Sequence, residues 1–158
     1  MRRVWNENMS EPDPEQNRFV VLFHEFPTNQ PDSDAFESDE NRHRNRNSHW
    51  DLMLEADGKL ETWSLAEQPI IGKTIKAIRL PAHRLAYLKY EGPVSNDRGS
   101  VQRLLEGVYR FVEGNINCEN FSVELVMDDA AMKAVFCPAG RVGNCGGQNE
   151  VKWTIAFS

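Results

Sequence analysis

Apolar residues in this chain recur in short alternating runs broken by turn residues, and no long stretch keeps the 3.6-residue period of a helix. That pattern restricts the backbone to β structure. Candidate strands cover residues 18–26, 49–56, 60–66, 73–80, 99–105, 107–113, 121–128, 132–137 and 150–157. Between two of them, Ala56-Asp57-Gly58-Lys59 reads as a tight hairpin, with Asp-Gly supplying positive φ angles. A short helix is expected around residues 81–89. The glycine-rich stretch 140–147 reads as a connection rather than a phosphate-binding loop, because no Gly-Lys-Ser/Thr follows it. Many short, closely spaced strands in 158 residues predict a mainly β fold, a small antiparallel β-barrel with one or two short helices.

The length suits one domain. Residues 1–17 are rich in Glu, Asn and Pro and read as a flexible arm, leaving 18–158 as a single barrel domain. Within it, residues 27–48 form a long polar loop running from an acidic half (Asp32, Asp34, Glu37, Asp39, Glu40) to a basic one (Arg42, Arg44, Arg46). Such a loop is either a DNA-binding flap or a disordered insertion, and composition favours the insertion. The longest apolar run, Phe19 to Phe23, is far short of the roughly 20 residues that cross a bilayer. Arg2 and Arg3 lead into polar residues rather than a signal sequence, so a soluble, cytoplasmic protein is expected. Cys118, Cys137 and Cys145 lack the number and spacing of a disulfide framework or a zinc clip and read as reduced thiols.

Charge is segregated along the chain. The net charge is −6, yet residues 68–110 carry eight basic residues against three acidic ones, +5, which leaves −11 elsewhere. The net acidity argues against a nucleic-acid partner, while the basic stretch argues for one. A solvated mixed face is the commonest explanation of such a stretch.

Strand alternation sorts the candidate chemical groups. In 49–56, His49, Asp51, Met53 and Glu55 share one face. In 18–26, His24 shares a face with Val20, Leu22 and Phe26, which would look into the core, where an imidazole needs a partner. If these sequential strands are neighbours, His24 meets His49 and Asp51 near the barrel mouth. Two imidazoles and a carboxylate suit a divalent ion such as manganese, zinc or iron. A satisfied core histidine and a surface His/Asp pair are each commoner at this spacing. His83 and Tyr87 fall on one face if their segment is helical, and about 13 Å apart if it is a strand. On spacing alone, an ordinary amphipathic turn whose aromatic packs on the core is the better explanation. His49-x-Asp51 with His83 also matches the facial triad of a non-haem iron oxygenase, but that reading leaves His24 without a task.

Taken together, the blocks Phe19-Val20-Val21-Leu22-Phe23-His24, His49-Trp50-Asp51-Leu52-Met53-Leu54-Glu55, Gly58 through Leu65, and His83 through Gly92 resemble the 3′-phosphoesterase domain of bacterial DNA ligase D in order and approximate spacing. The resemblance implies a small β-barrel that uses manganese to trim the 3′ ends of DNA in end-joining repair, acting on a 3′-phosphate or a 3′-ribonucleotide. By position it implies His24, His49 and Asp51 as metal ligands and His83 and Tyr87 as contacts to the scissile phosphate, with His83, when protonated, offsetting developing charge. It further implies DNA or DNA/RNA 3′ ends as partners, with other end-joining repair proteins beside them, and a cytoplasmic, nucleoid-associated location. The family carries an arginine two residues after the aspartate, where this chain has Met53, and acidic residues where Pro81-Ala82 precede His83. Arg84 or Arg98 is then expected to supply the phosphate-binding charge. The loss of that arginine leaves a second reading, a catalytically weakened or inactive barrel that binds DNA ends or a repair protein.

Overall fold

Alternating apolar residues pair off along the chain into nine strands, as seen in a computed structural model that describes residues 17–26, 48–94, 98–141 and 151–158. The strands are β1 (Asn17–Glu25), β2 (His49–Ala56), β3 (Lys59–Leu65), β4 (Thr74–His83), β5 (Gly92–Pro93), β6 (Ser100–Glu113), β7 (Phe121–Val126), β8 (Ala131–Arg141) and β9 (Val151–Phe157). Eight of them run antiparallel in the order β1-β2-β3-β4-β9-β8-β7-β6, and β6 returns to pair with β1, so the sheet closes into a barrel. The short β5 adds to the free edge of β6 at Ser100 and Val101. The hairpin at Asp57-Gly58 forms as expected, with φ of 52° and 77° at its two residues. Arm residues 1–16, loop residues 27–47 with Arg42, Arg44 and Arg46, and residues 142–150 with Cys145 lie outside the described residues. Cys118 and Cys137 are free thiols.

Two sequence expectations change. Segments 99–105 and 107–113 are one strand, β6, because Gly107 does not interrupt it. A Cβ at Gly107 would lie 2.0 Å from the Val126 carbonyl oxygen and 2.9 Å from the Phe19 ring, so glycine is there for close approach between strands. The helix expected at 81–89 shrinks to one 3₁₀ turn, Leu85–Leu88, since β4 runs on through His83. Pro81 is tolerated in that strand because the ladder with β3 is interrupted there, between Leu80 and His83.

Packing separates two apolar clusters. The larger fills the barrel with residues from all eight closing strands, among them Phe19, Val21, Leu52, Trp63, Ile75, Tyr109, Phe121, Phe136 and Ile155. The smaller lies on the outer wall and joins Val20, Leu22, Met53, Leu60 and Val101 to Leu88, with Leu85, Tyr87 and Val94 packed against it. The chain from β4 to β6 thus covers the outside of β1 and β2. Both faces of these strands are buried, and this is why Phe19–Leu22 and Asp51–Met53 lack an exposed alternate position.

A candidate metal centre on the outer wall

Register brings the distant imidazoles together. His24, next to last in β1, pairs directly with His49, the first residue of β2, and Leu22 pairs with Asp51. Side chains of β1 and β2 alternate, so His24, His49 and Asp51 all leave the sheet on the outer side, in line with Val20, Leu22 and Met53. The face carrying His24 therefore looks onto the smaller outer cluster rather than into the barrel core or mouth, a correction to the sequence expectation. The cause is the second covering layer, which buries that face and makes it as apolar as a core face.

One ligand-type atom from each of His24, His49 and Asp51 lies within 4.8 Å of the other two, so this group could hold a metal ion. His24 Nδ1 is 3.8 Å from Asp51 Oδ2, and His49 Nε2 is 3.3 Å from Asp51 Oδ1. The imidazole centroids are 4.8 Å apart, and Phe26 stacks on His24 at 4.5 Å. Asp51 is 3% exposed, and its Oδ1 is buried without a hydrogen-bond partner among the described residues. A buried carboxylate oxygen in that state needs a counter-charge. Burial pushes the Asp51 carboxyl up, but the two imidazoles beside it win, and the group is held below the usual carboxylate range. An ionised carboxylate facing two imidazoles is a donor set that fits a divalent cation.

His83 and Tyr87 also come together, by a route intermediate between the two considered. His83 ends β4 and Tyr87 lies in the 3₁₀ turn, with ring centroids 5.5 Å apart, edge to face. His83 is within electrostatic reach of Asp51, His24 and Arg98, which puts it beside the triad. Burial lowers its pKa, and although Asp51 and a backbone carbonyl oppose that shift, the neutral form is favoured. Its Nδ1 is buried without a hydrogen-bond partner among the described residues. Of the two arginines, Arg84 is exposed at the head of the turn. Arg98 is also exposed, and its backbone carbonyl lies 2.5 Å from His24 Nε2.

Three contributors escaped the sequence reading. Phe26 was grouped with His24 by alternation but not as a ring stacked on it. The Arg98 carbonyl is a backbone group, and no residue type marks it. Arg103 fastens the covering turn through its guanidinium to the Leu88 carbonyl at 3.2 Å, while its backbone N–H donates to Glu91 at 2.9 Å. It resembles any other basic residue in the sequence.

A family model described as the DNA Ligase D 3′-phosphoesterase domain matches residues 41–137 of the 158. The matched stretch contains His49, Asp51, His83, Arg84, Tyr87 and Arg98, while His24 precedes it and joins the group through the β1–β2 register. No curated protein matches the chain.

Proposed function

Because the chain belongs to the DNA ligase D 3′-phosphoesterase domain family, we propose that it is a metal-dependent phosphoesterase acting on the 3′ ends of DNA, on a 3′-phosphate or a 3′-ribonucleotide, in repair. The observation that carries this reading is the buried Asp51 carboxylate set between two imidazoles delivered by adjacent strands. His24, His49 and Asp51 would hold the cation, with manganese the family's choice. A divalent ion bound there stabilises charge on a phosphoryl oxygen and lowers the pKa of an attacking water. His83 contributes a hydrogen-bond donor from a neutral ring, and a phosphate anion placed beside it would raise its pKa and favour its protonation. Tyr87, held edge-on to His83, orients that ring and offers a phenol to the same phosphate. Arg98, within electrostatic reach of His83, is the better placed of the two arginines to supply the charge that Met53 lacks.

The test is release of inorganic phosphate from a primer-template ending in a 3′-phosphate. Manganese-dependent release is expected, falling by at least about 100-fold in Asp51→Asn and in His83→Ala. Absence of release at high enzyme concentration contradicts the hydrolase.

Met53 supports a second reading. It is 1% exposed and belongs to the outer apolar cluster, so this wall has been rebuilt without the family arginine. A barrel that grips DNA ends or a repair protein with little or no turnover fits that change. Manganese-insensitive capture of the same primer-template, without phosphate release, would favour it.

A further inference from the structure

His24 makes one short polar contact away from the triad. Its Nε2 lies 2.5 Å from the backbone carbonyl oxygen of Arg98, and a carbonyl oxygen only accepts. Nε2 therefore carries the proton. When the ring is neutral its lone pair is then on Nδ1, which is the atom facing Asp51 Oδ2 at 3.8 Å. Histidines that ligate metals commonly donate their other ring N–H to a carbonyl or carboxylate, which sets the tautomer before the ion arrives.

The carbonyl is held there by the residue after it. Gly99 has φ of +80°, and a Cβ on it would lie 2.0 Å from the Glu25 carbonyl oxygen and 3.3 Å from Phe26 Cα. The Gly99 carbonyl in turn accepts from the Val94 N–H at 2.8 Å. Only a residue without a side chain lets this turn lie against the end of β1, one residue past His24. We propose that Gly99 and the Arg98 carbonyl are positioning groups that fix His24 with its proton on Nε2 and so present Nδ1 to the cation site. This rests on the metal-site reading above, and assigns work to two residues that are not among the proposed ligands.

Two measurements on the full chain test it. In the metal-free protein, ¹⁵N shifts of the His24 ring report the tautomer, and a protonated Nε2 with a bare Nδ1 is expected. Manganese titration of Gly99→Ala should show affinity lowered about 10- to 100-fold, with the His24 signals moving to a tautomer mixture. A backbone ester between residues 98 and 99 weakens the acceptor without adding a Cβ, and should lower the affinity in the same direction if Gly99→Ala does not fold. A wild-type ring protonated on Nδ1 overturns the proposal. So does a folded Gly99→Ala that binds manganese as the wild type does, a result that leaves the metal site standing. Failure of the wild type to bind manganese at all removes both.

Discussion

At position 53, where the resemblance implies an arginine, this chain has a thioether that is almost fully buried in a cluster with Val20, Leu22, Leu60 and Leu88. An arginine restored there must either thread past Leu88 or leave its guanidinium in an apolar pocket, and the second costs several kcal/mol. Met53→Arg is therefore expected to lower the thermal midpoint without restoring a family-like site, while Met53→Leu changes stability by less than about 1.5 kcal/mol. Thermal melts of both check this, and a Met53→Arg protein as stable as the wild type would contradict it. His83 makes a second prediction. Its folded-state pKa lies below the ordinary 6.5, so between those values the unfolded chain binds more protons and stability falls as pH falls. The slope from this one group is at most about 1.4 kcal/mol per pH unit, and urea midpoints of the metal-free protein should show it flattened in His83→Gln as pH falls below 6.5.

Among the elements, β1 and β2 explain what the sequence could tell. Phe19 to Phe23 is the longest apolar run because each of its residues packs on something, Phe19 and Val21 in the barrel, Val20 and Leu22 under the covering turn and Phe23 on the Trp50 ring. That run and its alternating neighbours made the strands legible, and the blocks around His24, His49 and His83 made the family legible. The side of the sheet was not legible, since a face covered by a short 3₁₀ turn and a face lining the barrel are equally apolar. Nor was the unity of β6, where glycine signals either a break or a close approach and only the Val126 carbonyl distinguishes them. Gly107→Ala is accordingly expected to cost about 1–3 kcal/mol or more by prying β6 from the Val126 carbonyl at the end of β7 and from Phe19 of β1, which urea unfolding measures. A neutral outcome would mean that the packing of β6 against Val126 and Phe19 is loose.

For the molecule as a whole, barrel closure is what turns sequence separation into proximity. β1 and β2 are joined across a long polar segment, and His83 arrives two strands later, yet β1, β2 and the end of β4 meet on one outer wall. Among the described residues no helix is long and apolar enough to cross a membrane. The segregated basic stretch contributes Arg84, Arg98 and Arg103 to the neighbourhood of this wall, although Arg103 is engaged by Glu91 and Glu106. The fold thus gathers a donor set that could hold a cation and positive charge in one region, as the proposed binding to a phosphate terminus requires. Calorimetric titration of manganese into the wild type and Asp51→Asn tests this most directly. One ion per chain is predicted, with affinity reduced at least about 100-fold in the variant, which keeps the shape of the side chain and removes its charge; equal binding by the two proteins, or none by the wild type, would contradict the account.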